Sequence, residues 1–308
     1  MALGENAKLG FFLFLWYAFN VAYNIYNKKI LMAFPYPYTV ACLQLGIGLL
    51  YILPVWTLNI RPSPKLSMED FKRIAPAALF HTLGHVCTVL ALGGGSVGFV
   101  HIIKAAEPFF TTVLSAIFLD SFAPFIVNIC LVPIVGGVCF ASASELTFAW
   151  PTFLSALSSN LGFSMRSVAS KKALDQESKE SKNLDPANFY AVLTLISFLG
   201  LLPFALAMEG PFLTTGYLNT VSNIGISTFY KYNMFAGLTY YLYNEVAYLV
   251  LGRCGAVTHA VANTVKRVVL LLVGAVVFGS AMTFNGIVGS AIAMAGVLLY
   301  AMMKQKYE

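Results

Sequence analysis

Ten stretches of about 20 residues, each almost free of charge, follow one another along this 308-residue chain. A run of that length matches the ~30 Å of hydrocarbon that a helix must cross, and no aqueous fold buries so many in sequence. The candidate spans are 9–30, 36–59, 71–92, 97–119, 124–143, 150–170, 187–208, 232–252, 255–278 and 284–303. Only 10% of residues are charged, against roughly 25% in soluble domains, so the apolar excess belongs to the whole chain. The expected fold class is an all-α membrane protein of ten transmembrane helices.

The breaks between runs carry turn chemistry. They are Pro35 with Pro37, the segment Arg61-Pro-Ser-Pro-Lys65, Gly93-Gly94-Gly95, Asp120 with Pro124, and Glu209-Gly210-Pro211. The longest hydrophilic stretch, Leu174 to Pro186, reads as a mobile loop. An even span count puts both termini on one side. That side then holds twelve lysines and arginines, including Arg61, Lys171, Lys179, Lys182, Arg253 and Lys304, and the other side has Lys28, Lys29 and Lys231. This bias places both termini in the compartment from which insertion begins. The start, Met-Ala-Leu-Gly-Glu-Asn-Ala-Lys, shows no cleavable leader pattern.

The halves 1–145 and 146–308 echo each other. At an offset of 160 residues Gly95 matches Gly255, Val97 matches Val257, Phe118 matches Phe278, Gly136 matches Gly296 and Ala141 matches Ala301; at a different offset, 143, Lys28-Lys29 is echoed by Lys171-Lys172. A repeat of five spans, an odd number, forces the second copy to insert upside down. Inverted five-helix repeats are a carrier architecture, because pseudo-symmetry supplies two packings of similar energy.

Six ionisable side chains sit well inside the spans: Lys104, Glu107, Arg166, Glu245, Lys266 and Arg267. Each costs at least ~2.5 kcal/mol at the bilayer centre, which makes it a functional candidate. Four cations against two carboxylates leave a surplus of two, the charge of one phosphate dianion. Plainer readings stand beside this one: Lys104 with Glu107 as a self-satisfied i, i+3 pair, and Arg166 snorkelling to the helix end. Glu245 is open between a partner for these cations and a proton-coupling group.

Other features carry less. His81, His85 and Thr88 form a polar stripe that either lines a pore or bonds between helices, and a metal site lacks its further ligand. His101 and His259 are expected to pack the interface of the halves, and Tyr240, Tyr241 and Tyr243 form an aromatic cluster. Cys42, Cys87, Cys130, Cys139 and Cys254 read as packing residues. A pI near 9.0 without a soluble domain does not suggest nucleic acid, and no nucleotide loop or hydrolase elbow occurs. Neither a cofactor nor a metal is expected, and the chain is not expected to be an enzyme. Two rivals are a carrier of another substrate, such as a nucleotide sugar or a drug, and a membrane-embedded lipid-phosphate enzyme.

The runs His81-Thr-Leu-Gly-His85, Val100-His-Ile-Ile-Lys104-Ala-Ala-Glu107-Pro108, Ser158-Ser-Asn-Leu with Arg166, and Thr258-His-Ala-Val-Ala-Asn263-Thr-Val-Lys266-Arg267 resemble the plastid phosphate translocator family, within the drug/metabolite transporter superfamily. The resemblance covers nearly the whole chain. It implies ten helices in two inverted repeats, the plastid inner envelope with both termini stromal, and exchange of inorganic phosphate for phosphorylated metabolites. It also implies that Lys104, Lys266 and Arg267, joined by Thr88, hold the phosphate, and that His85, Tyr243 and Arg166 meet the rest of the substrate. Triose phosphate and 3-phosphoglycerate are the favoured cargo, with phosphoenolpyruvate and glucose 6-phosphate as alternatives. The partners are thus inorganic phosphate, small organic phosphates and membrane lipid.

Overall fold

The computed structural model describes residues 2–146, 148–175, 183–251, 256–279 and 282–307. Arg253, Cys254, Gly255, Lys179, Lys182 and the side chain of His259 lie outside the described part. Twelve helices, and no strand among the described residues, run in the order α1 (Ala2–Ala33), α2 (Pro37–Thr57), α3 (Met68–Gly94), α4 (Val97–Lys104), α5 (Glu107–Leu119), α6 (Phe125–Ile129), α7 (Leu131–Ala143), α8 (Trp150–Asp175), α9 (Pro186–Ile224), α10 (Ile226–Leu251), α11 (Ala256–Phe278) and α12 (Phe284–Tyr307). Seven helical segments among the described residues are long and apolar enough to cross a bilayer. Large apolar side chains such as Phe14, Leu50, Leu79, Val132 and Val276 stand on the outer surface at 66–84% exposure, which only a lipid solvent tolerates in such number.

The turn residues act where the sequence places them. Ser67 caps α3 and Asp70 reciprocates, and the Ser96 hydroxyl accepts from Phe99 N to start α4 after the glycine run. Asp120 ends α5 with a positive φ of 50°, a conformation its short polar side chain tolerates. Two expected spans are interrupted: 97–119 breaks at Ala105-Ala106 and 124–143 at Cys130.

Glu209-Gly210-Pro211 does not end a helix as expected. The helix α9 continues for 39 residues to Ile224, about 58 Å and longer than a bilayer core. Tertiary contacts outweigh the breaker. The Glu209 carboxylate accepts from Tyr38 N and Thr39 N at 3.2 and 2.7 Å, satisfying the start of α2, and the Thr220 hydroxyl donates to Ala33 O at 3.0 Å.

Glycines set the closest helix approaches. A Cβ on Gly162 of α8 would lie 2.7 Å from Gly84 N of α3, and one on Gly137 of α7 would lie 2.6 Å from Gly289 O of α12. The helix α4 packs on α11, and α1 on α10. Cys42, Cys87 and Cys130 are buried packing residues as expected, while Cys139 is exposed.

Candidate functional site

Between these pairs lies a cavity of about 900 Å³, to which α1, α3, α4, α5, α8, α10, α11 and α12 contribute. One end reaches exposed Lys171 and Gln305, where α8 and α12 finish; the other stops among buried Asn24, His85, Thr88 and His101. Lys104, Lys266, Arg267, Thr88, His85, Tyr243 and Arg166, the seven residues singled out from sequence, all line it.

The broken helix positions the first of them. Pro108 has no N–H to give the preceding turn, so α4 stops at Lys104 and α5 begins at Glu107. The Ile103 carbonyl, which takes the Ala106 N–H of the turn at 3.0 Å, also accepts from Asn160 Nδ2 at 2.9 Å, and the Ser164 hydroxyl reaches Glu107 O at 3.4 Å. An interrupted helix beside a cavity is affordable in a membrane because such polar neighbours satisfy its backbone.

Lys104 does not form the i, i+3 pair with Glu107. Its ammonium donates to Ser159 Oγ at 2.7 Å and Thr88 Oγ1 at 3.2 Å, and these hydroxyls bond to each other at 2.7 Å. It also stands over the Phe163 ring at 4.6 Å, and the Arg166 guanidinium lies 4.8 Å from the same ring. Arg166 Nη1 approaches His81 Nδ1 at 3.2 Å. Arginine can only donate, so the His81 proton belongs on Nε2, 3.2 Å from the Tyr240 hydroxyl. Arg166 is thereby held toward the cavity, not snorkelling to the helix end.

Glu107 instead meets Arg267, with Nη2 to Oε2 at 2.8 Å, from α11 to α5. Lys266 rests over the Trp16 ring at 4.7 Å. Glu245 does not face the cavity; it pairs with Arg61 from the α2–α3 connection. The sequence-derived surplus of two is therefore too small. Of the six cations that line the cavity, Lys171 and Lys304 stand toward the mouth, and the four further in, Lys104, Arg166, Lys266 and Arg267, face one carboxylate, Glu107, which leaves a formal surplus of three there.

The histidine stripe divides. His81 is fully buried behind the wall, whereas His85 lines the cavity 4.0 Å from the Tyr240 ring and leaves both ring nitrogens without a hydrogen bond among the described residues. His101 is also on the wall, with Nε2 2.8 Å from Asn24 Oδ1, instead of serving only as interface packing. Tyr240 and Tyr243 line the cavity and Tyr241 is buried away from it, so the tyrosine cluster divides too. Sequence reasoning missed Ser159, Phe163, Trp16 and Asn24. A signal existed for two of them, since Ser159, Phe163 and Arg166 recur at i, i+4 and i+7 and share one face of α8.

The family profile described as the Triose-phosphate Transporter family matches residues 7–301. The chain is 41% identical over 304 residues to the phosphoenolpyruvate/phosphate translocator 3, chloroplastic, of Oryza sativa subsp. japonica, covering 99% of this chain and 76% of that protein. It is 38% identical over 300 residues to the chloroplastic triose phosphate/phosphate translocator of Pisum sativum, covering 97% and 73%. A crystal structure at 13% identity, covering 95% of this chain and 98% of its own at a TM-score of 0.51, shares the fold.

Proposed function

Because this chain belongs to the Triose-phosphate Transporter family, we propose that it is an antiporter exchanging inorganic phosphate for phosphorylated three-carbon metabolites, triose phosphate and 3-phosphoglycerate. The surplus of three positive charges in the inner part of the cavity carries this reading. Phosphate monoesters bring about −1.5 to −2 at neutral pH, and a second anionic end finds a further cation. Lys104, Lys266 and Arg267 with Thr88 take the phosphate; Arg166, His85 and Tyr243 take the remainder of the molecule. Arginine supplies a bidentate fork and lysine a point charge.

The exchange follows from desolvation. To pass through an occluded state, the empty cavity strips water from unbalanced cations at a cost of several kcal/mol per ion. A bound dianion offsets that cost, so the loaded carrier switches and the empty one does not.

Alternating access rests on two inverted repeats, 1–145 and 146–308, in ten membrane-crossing rods. The packing supports it: exchanging each half for the other turns the α3–α8 contact into α10–α1, and maps α4–α11 and α7–α12 onto themselves. The membrane is the plastid inner envelope, with the termini and cavity mouth on the stromal side. The rice relative favours phosphoenolpyruvate as a second reading for the cargo.

Counter-exchange in liposomes tests the function. Inorganic phosphate should exchange against dihydroxyacetone phosphate and 3-phosphoglycerate above phosphoenolpyruvate and glucose 6-phosphate. Lys266→Ala and Arg267→Ala should each abolish exchange with the helix content retained, and normal exchange by either contradicts the assignment.

A further inference from the structure

The cavity stops at Asn24 and His101, but the polar face of α1 continues past it. One turn further along, Asn27 is fully buried and accepts from Gln44 Nε2 of α2 at 2.6 Å. This leaves Asn27 Nδ2 and Gln44 Oε1 without partners among the described residues, and the Tyr23 hydroxyl above them likewise. Turning both amides over still leaves one donor and one acceptor unused. Unpartnered buried amides are uncommon, and a pair that is wetted in a second conformation explains them.

Lys28 comes next. Its ammonium donates to Leu92 O at 2.8 Å and Gly95 O at 2.9 Å, so that α1 is clasped to the end of α3 on the face opposite the cavity mouth. The Leu92 carbonyl belongs to the last turn of α3, where carbonyls lack helical partners and the dipole is negative. Neighbouring Lys29 is turned away, about 6 Å from the Tyr26 and Tyr232 rings. Carbonyl oxygens hold an ammonium less firmly than an anion does, so a phosphate dianion arriving from that face outcompetes them.

We propose that Asn24, Asn27 and Gln44 line the substrate's second pathway, closed in this structure, and that Lys28 is its clasp. In the opposite-facing state Lys28 leaves α3 and contacts the phosphate of the cargo. This rests on the antiport reading above and adds the residues of the pathway that is shut here.

The test uses the full chain in liposomes with its five cysteines replaced and Asn27→Cys or, separately, Gln44→Cys introduced. A charged, membrane-impermeant thiol reagent should label these positions slowly without phosphate and at least ~10-fold faster with saturating inorganic phosphate on both sides. Lys28→Met should raise labelling without phosphate. It should also raise the KM for inorganic phosphate on that face about 10-fold, the loss of one hydrogen bond to a charged group, with the mouth-side KM unchanged. Lys28→Arg should restore most of it. A merely structural lysine would lower kcat or stability equally from both sides. Labelling indifferent to phosphate and to Lys28→Met, or equal KM changes on the two faces, overturns the clasp while phosphate exchange by the parent still stands. An unmodified chain that exchanges no phosphate overturns the antiport reading, and the clasp with it.

Discussion

Glu107→Gln removes the carboxylate that faces the cavity and keeps its shape. At 2.8 Å, Glu107 occupies Arg267, and a phosphate that takes this arginine must displace it. The pair is intermediate in exposure, with the Glu107 side chain 28% exposed and that of Arg267 8%. Its worth therefore falls between the ~0–1 kcal/mol of surface pairs and the ~3–5 kcal/mol lost when a buried pair is broken. Glutamine keeps part of the contact, so the competition removed is about 1.5 kcal/mol, or roughly tenfold in affinity. The variant should bind inorganic phosphate about 10-fold more tightly by titration calorimetry in detergent. Exchange in liposomes should slow, because release becomes harder and the empty cavity carries a formal surplus of four instead of three. A well-folded variant whose phosphate Kd is unchanged or weaker would refute the view that Glu107 competes with the cargo.

Three further variants separate binding from folding. Lys104→Ala should cost about 10- to 100-fold in phosphate affinity, yet move the melting temperature little, because the Thr88 and Ser159 hydroxyls it leaves already bond each other at 2.7 Å. Arg61→Ala strands the Glu245 side chain at 5% exposure and should destabilise the protein by about 3 kcal/mol with phosphate binding unchanged; adding Glu245→Gln should recover more than half, as thermal unfolding can show. Gly137→Val should lower the melting point sharply, at a cost of about 3 kcal/mol, because even its Cβ would lie 2.5 Å from Ala293 N and force α7 off α12.

Charge in apolar sequence was the most readable signal. A lysine or arginine costs so much at mid-bilayer that Lys104, Arg166, Lys266 and Arg267 announce a shared polar space, and all four line one cavity. Some span ends were also legible, since Ser67, Ser96 and Asp120 act locally. What escaped depends on long-range partners. Pro211 looks like a stop, but Glu209 anchors α9 to the start of α2, 171 residues away in sequence. Glu245 looks like a site residue until Arg61 arrives from a loop. Glu107 and Lys104 look paired only if their helix is continuous, and Pro108 decides that it is not. Phe163 and Trp16 hold cations with their ring faces, and an aromatic residue in an apolar run carries no mark of that use.

Labelled phosphate offered to proteoliposomes with and without internal phosphate bears most directly on the charge surplus. Uptake should be rapid into loaded vesicles and near background into empty ones, because only a neutralised cavity passes through the membrane core. Equal uptake into both would mean that the unbalanced cations do not govern switching.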